Sequence, residues 1–136
     1  MPKLIKSTKQ LTPKMQKLES TLRAFAKTQN INYAITETYR SMATISEYYK
    51  RGRRGILGEK KITNISPKNA KTKSSHYNRC AFDIVLINKN GRRSYKPLSS
   101  FKILGDYWVT LDPLCIWGGN WQRLKDRPHF EHRSYR

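Results

Sequence analysis

One aspartate limits what this chain can become more than any other residue. Asp83 stands inside "AFDIVLI", Ala81 to Ile87, a short, apolar, β-branched run that the turn signal "NKNG" closes, so it reads as a strand of a central sheet. A carboxylate inside or at the mouth of such a strand is costly to desolvate unless it is paired, hydrogen-bonded or bound to a cation. The fold must therefore bring Asp83 a partner.

The sequence offers a small set of partners. His76 lies upstream on the loop entering the strand, "SSHYNRC", and "DRPHFEH" supplies Asp126, His129, Glu131 and His132 near the far end of the chain. Two imidazoles and a carboxylate can converge on a metal, and three protein ligands leave a fourth position open, as in catalytic rather than structural zinc. Such an ion lowers the pKa of a bound water towards about 7 and polarises a carbonyl. The facial triad of non-haem iron oxygenases uses the same residue types. There the carboxylate usually follows the first histidine by two residues, and here it follows by seven. Strand alternation from His129 points Glu131 to the same face, as a partner for an imidazole, and turns His132 away towards solvent. The plainer alternatives are an exposed loop histidine at His76, an arginine bridge at Asp83 and a turn residue at Asp126 before Pro128.

The rest of the chain supplies elements around this group. Leu11, Met15, Leu18, Leu22, Phe25 and Ala26 draw an apolar stripe on a helix that Thr12 caps, Pro13 starts and Asn30 closes. "INYAITET" alternates as a strand and delivers Glu37 and Arg40 at its exit. "MATISEYYKRG" reads as a second helix stopped by Gly52, and the Gly-, Lys- and Arg-rich segment after it as a long, mobile, basic loop. Apolar residues three to four apart from Ser99 to Leu114 predict a third helix that Pro113 helps end, "WGGNW" a tight aromatic turn, and "PHFEHRSY" a last strand. Trp117, Trp121, Tyr39 and Phe130 are expected in the core and the cleft wall. About three helices segregated against a small antiparallel sheet make an α+β fold, one domain over residues 1–136.

Charge is the other constraint. The chain carries 28 Lys and Arg against 9 Asp and Glu, a net +19, so it attracts polyanions: nucleic acid, anionic wall polymers or lipid surfaces. "KRGRRGILGEKK" fits a non-enzymatic nucleic-acid-binding protein, which would leave the histidine and aspartate pattern unexplained. High like charge favours a monomer. No stretch approaches the roughly 20 apolar residues that span a bilayer, and the start lacks a signal peptide, so cytoplasmic synthesis is expected. Cys80 and Cys115 are too far apart for a CxxC motif and read as small buried hydrophobes.

Taken in order, Ser74, His76, Ala81 and Asp83, then "WGGNW", then Asp126, His129, Phe130 and Glu131 resemble the VanY-like, M15-type zinc peptidases of the hedgehog/DD-peptidase fold. "TETYRS" matches a similar E-x-x-R-S of that family, so the resemblance runs from about Ile31 to Glu131. It implies Zn2+ on His76, Asp83 and His129, with Asp126 as the general base that takes a proton from the attacking water. Arg40 would hold the scissile carbonyl or its oxyanion, with Glu37 beside it, and Ser74 and Trp121 would meet the substrate. The family's phage endolysin branch cuts the L-alanyl–D-glutamate bond of peptidoglycan. Such an enzyme would have no separate wall-binding domain and would reach the wall through a separate pore. Alternatives on the same fold are a D-Ala-D-Ala carboxypeptidase or a wall-targeting toxin. Two positions depart from the family: Arg79 replaces its glycine, and Ile45 stands near its usual glutamine. Arg79 would either change the loop backbone or set a cation beside the cleft.

Overall fold

The computed structural model describes residues 3–63 and 65–136; Met1, Pro2 and Asn64, the last within the basic loop, lie outside the described residues. Helix α1 (Pro13–Thr28) begins where the sequence places it: Thr12 Oγ1 accepts the Met15 N–H at 3.2 Å and Pro13 fills the first helical position. It ends two residues before Asn30, which takes a left-handed φ of 56°. Strand β1 (Asn32–Glu37), helix α2 (Met42–Lys50) and helix α3 (Ala70–Lys73) follow, then strands β2 (Ala81–Ile87) and β3 (Arg93–Ser94). Helix α4 (Leu98–Trp108), strand β4 (Cys115–Trp117) and strand β5 (His129–His132) complete the chain. The sheet is antiparallel in the order β1-β2-β5-β4, with β3 on the far end of β2. The expected α+β class holds.

The period-two pattern of "AFDIVLI" separates the two faces of the sheet. Phe82, Ile84 and Leu86 join Met15, Leu18 and Leu22 of α1 and Phe101, Leu104 and Trp108 of α4 in one buried cluster. Phe82, Phe130 and Trp108 stack and edge-pack at 5.4–5.8 Å between ring centroids. The Trp108 indole N–H is satisfied by the carbonyls of Ile116 and Glu131, each at 3.1 Å, so this large ring is buried at no hydrogen-bonding cost. Asp83 points to the other face.

Three local expectations are corrected. The helix expected from Ser99 to Leu114 stops at Trp108, and after turns at Val109–Thr110 and Pro113–Leu114 the segment Cys115–Trp117 forms a short strand that runs into the first residue of the expected "WGGNW" turn. The basic segment is not wholly loop: a 3₁₀ turn (Pro67–Asn69) leads into α3, whose Ala70 is fully buried. His132 does not face solvent. It is 4% exposed and its Nε2 lies 3.1 Å from Asp112 Oδ1, because both faces of β5 are covered and alternation moves a side chain from one buried face to the other. Both cysteines are buried and free, as expected.

The Arg79 side chain does not line the cleft. Arg79 takes φ +60°, the left-handed conformation that glycine adopts without strain, and its guanidinium turns to Gln10 and lies 4.0 Å over the Tyr39 ring. The strain, roughly 1–2 kcal/mol, is offset by contacts of similar size. Arg79→Gly is therefore expected to shift Tm by no more than about 4 °C in thermal unfolding and to leave the cleft unchanged. Ile45 is buried on α2 and contributes packing.

Candidate active site

The histidine, aspartate and histidine singled out in the sequence are brought together. His76, Asp83 and His129 each offer a ligand atom, and these atoms lie within 4.8 Å of one another. Cross-strand pairing accounts for two of the three, since Asp83 sits opposite His129 of β5 in register and its Oδ1 is 3.0 Å from His129 Nδ1. Asp83 also sits opposite Glu37 of β1. That pairing needs the β-bulge between Ile35 and Glu37: uninterrupted alternation would have turned Glu37 to the core face with Tyr33 and Ile35.

His76 arrives from the Ser74–Cys80 turn. Ser74 Oγ accepts the Tyr77 N–H at 3.1 Å, Asn78 Nδ2 donates to the carbonyls of Ala70, Lys71 and Ser74, and Cys80 N–H reaches the Ser75 carbonyl. Ser74 thus lines the cleft while its hydroxyl holds the turn. The His76 Nδ1–H donates to the Thr38 carbonyl at 2.8 Å, which fixes the tautomer. Its Nε2 is buried with no hydrogen-bond partner, 3.4 Å from Asp83 Oδ2. On the other side, His129 Nε2 is 2.8 Å from Glu131 Oε1, so Nδ1 is the nitrogen turned to Asp83. Glu131 also accepts from Arg133 Nε and the Tyr135 hydroxyl, each at 2.9 Å. Each imidazole is therefore held from outside by one nitrogen and presents the other to Asp83. That donor set, with an orphaned buried nitrogen, fits a divalent cation such as zinc.

The charges are strongly coupled. Burial opposes ionisation of Asp83, yet the flanking His76 and His129 hold its carboxyl well below the usual range. Burial also opposes charge on His129, and its bonds to Asp83 and Glu131 outweigh that and raise it to about 10. Without a cation, His129 is an imidazolium between two carboxylates.

Around this group lies a cleft of about 330 Å³. Arg40, Ser74, Trp121, Asp126 and Glu131 all line it, as does Ser75, whose Oγ is 3.4 Å from His129 Nε2 and which sequence reasoning passed over. The Trp121 ring lies 5.3 Å from the His129 ring. Arg40 forms a bidentate pair with buried Glu37 and lies over the Tyr48 ring, so its guanidinium is aimed rather than free. Burial, then the nearby Asp83 charge, raises the Asp126 carboxyl above the usual range, which favours a proton acceptor. A larger, shallower groove along α1 has no histidine, cysteine or carboxylate in its lining. The Thr38 carbonyl was also missed, and a backbone acceptor leaves no signal in a sequence.

The "WGG" turn places Asp126. Trp117 lies against Gly105 and Gly119, where a Cβ would come within 2.0 and 2.2 Å of its ring, and its indole N–H reaches the Arg127 carbonyl at 2.8 Å. The Gly118 carbonyl accepts the Asp126 N–H at 3.0 Å, and a Cβ on Gly118 would meet the Asp126 carbonyl oxygen at 2.3 Å. Gly118→Ala is expected to displace Asp126 and cost about 10²-fold in kcat/KM while the histidine and aspartate group stays intact. Steady-state kinetics alongside elemental analysis of bound metal checks both halves.

A sheet presenting two outward-anchored histidines and an aspartate to a cleft is an arrangement used by metal-assisted hydrolases. Residues 68–132 match the family model described as D-alanyl-D-alanine carboxypeptidase, one of the M15 peptidases. A peptidoglycan L-alanyl-D-glutamate endopeptidase of Bacillus subtilis, CwlK, is 30% identical over 127 residues, 89% of this chain and 72% of that protein. The crystal structure of the Serratia marcescens L-Ala D-Glu endopeptidase ChiX superposes with a TM-score of 0.62 at 20% identity, over 92% of this chain and 82% of that one, and so shares the fold. The chain belongs to the M15 peptidase family and is a peptidase. Among the described residues no helix is long and apolar enough to cross a membrane.

Proposed function

We propose that this protein is a zinc-dependent peptidoglycan peptidase that hydrolyses the L-Ala-D-Glu bond of the stem peptide, of the kind phages use as endolysins. The observation that carries the reading is the pair of histidines, each fixed by its outer nitrogen, whose inner nitrogens meet Asp83 at the cleft floor. His76, Asp83 and His129 would hold the zinc ion, which would supply Lewis acidity towards a water and the substrate carbonyl. Asp126, desolvated beside the group, takes the proton of the attacking water and returns it to the leaving amine. Arg40, held by Glu37, faces the negative charge that develops on the carbonyl oxygen. Glu131 keeps the Nε2 proton of His129 and so keeps Nδ1 available. Lys73, Arg123, Arg133 and Arg136 also line the cleft and suit a substrate that bears free carboxylates, as peptidoglycan stems do. Trp121 forms an apolar wall beside His129.

The name of the B. subtilis relative supports the L-Ala-D-Glu bond, and the description of the family model supports D-Ala-D-Ala as the second reading. We further propose that the chain acts as a monomer after release to the wall, where its net +19 charge holds it on anionic polymer.

Muropeptide mass spectrometry on purified peptidoglycan treated with native, chelator-stripped and zinc-restored protein tests this directly. Zinc-dependent new D-Glu amino termini are the expected result. Release of D-Ala instead selects the carboxypeptidase, and unchanged muropeptides in all three arms refute peptidoglycan as substrate.

The charge state of the group predicts a pH dependence of metal uptake. Below the raised pKa of His129, about 10, a proton occupies the nitrogen that a cation needs, so binding must release it. Affinity is expected to fall about tenfold for each pH unit lowered between about pH 8 and 6. Titration calorimetry in buffers of different ionisation enthalpy reads the proton count; a pH-independent affinity contradicts the imidazolium.

A further inference from the structure

We propose that residues 51–61, the loop after α2, form a binding element for anionic phospholipid surfaces, with Ile56 and Leu57 entering the bilayer interface and the flanking cations meeting headgroup phosphates. Leu57 is 100% and Ile56 53% exposed, side by side at the loop tip. Gly55 and Gly58 bracket them with φ values of +77° and +81°, a conformation that turns the chain on both sides of the pair.

This tip is built rather than slack. Arg54 pairs with Glu59 across it at 2.6 Å, and Glu59 also accepts the Gly52 N–H at 3.2 Å. At the base, Arg53 Nη1 donates to the carbonyls of Tyr49 and Thr63, and the two arms pass so closely that a Cβ on Gly52 would lie 2.5 Å from the Lys61 nitrogen. The internal bonds thus hold two adjacent aliphatic side chains out in water, where they gain nothing. Lys50, Lys60 and Lys61 are exposed and none is in an ion pair among the described residues.

Aliphatic residues at a tip with cations behind them match a surface that is anionic outside and apolar beneath. Nucleic acid and wall polymers satisfy the cations equally well but offer Ile56 and Leu57 no apolar phase, and residues 51–61 contain no aromatic ring on which a base could stack. The returning arm runs into Ile62 and Thr63 of the cleft wall, so a bound bilayer would lie beside the cleft. Lipid binding of this kind is independent of which bond the cleft cuts.

Vesicle co-sedimentation tests it, with vesicles of phosphatidylcholine alone or with about a quarter phosphatidylglycerol. Native protein is expected to pellet only with the anionic vesicles. Ile56→Ser/Leu57→Ser should bind them about tenfold more weakly, a loss that charge alone does not produce. Leu57→Trp should add an emission that shifts to the blue when anionic vesicles are added. Equal binding by the double variant, an unshifted emission or no binding by native protein overturns the proposal. So does duplex DNA binding that falls tenfold in the double variant, which would assign the tip to nucleic acid.

Discussion

An Asp126→Ala protein is expected to take up as much zinc as the native chain and to turn over peptidoglycan about 10²–10⁴-fold more slowly, the usual contribution of a positioned general base. The separation follows from where Asp126 sits. It lines the cleft but does not belong to the group of ligand atoms within 4.8 Å, and its backbone is held by the Gly118 carbonyl and by the His129 N–H. Removing its carboxylate leaves every contact that orients His76, Asp83 and His129 in place. The fold should be retained, since a half-buried carboxyl whose ionisation burial disfavours contributes little to stability. Elemental analysis and kinetics on one preparation decide it, and a fully active Asp126→Ala protein refutes the assigned base.

His76→Ala and Asp83→Ala are expected to behave differently, losing zinc and activity together, with residual hydrolysis at the level of the chelated native enzyme. Removing His76 takes away the orphaned Nε2, the one nitrogen of the group that no protein atom satisfies. Removing Asp83 leaves two imidazoles facing each other at 5.1 Å between ring centroids with no carboxylate between them. His129 then keeps only Glu131 as a counter-charge, and breaking a buried pair of this kind costs about 3–5 kcal/mol. Asp83→Ala should therefore lower Tm as well, which chelation of the native protein should do only by the linkage of lost metal. Equal zinc content in Asp83→Ala and native protein would show that the ligand set is wrong.

Much of the site was legible because its chemistry is costly in the wrong place. A carboxylate in "AFDIVLI" requires a partner whatever the fold, and the chain holds only three histidines. The cap at Thr12 and Pro13 and the α1 stripe follow from local periodicity, which depends on near neighbours. Less legible were features that depend on a second strand or a distant backbone. The β4 strand is three residues long and exists because β5 is there to pair with it, so no periodicity marks it.

What the sequence determined by itself is therefore the class of fold, the ligand-type residues and their order along the chain, because hydrophobic period and desolvation cost act on the residues themselves. Tertiary structure alone decided how those residues are used. A one-residue bulge in β1 moved Glu37 from the core face to Asp83's face, where it holds Arg40. The Thr38 carbonyl and Glu131 chose which nitrogen each histidine presents. Cover on both faces of β5 turned His132 from an expected surface residue into a buried one bonded to Asp112, and Gln10 and Tyr39 gave the Arg79 side chain a seat away from the cleft. Each of these depends on a contact between segments far apart in the chain, and such contacts exist only once the strands have paired.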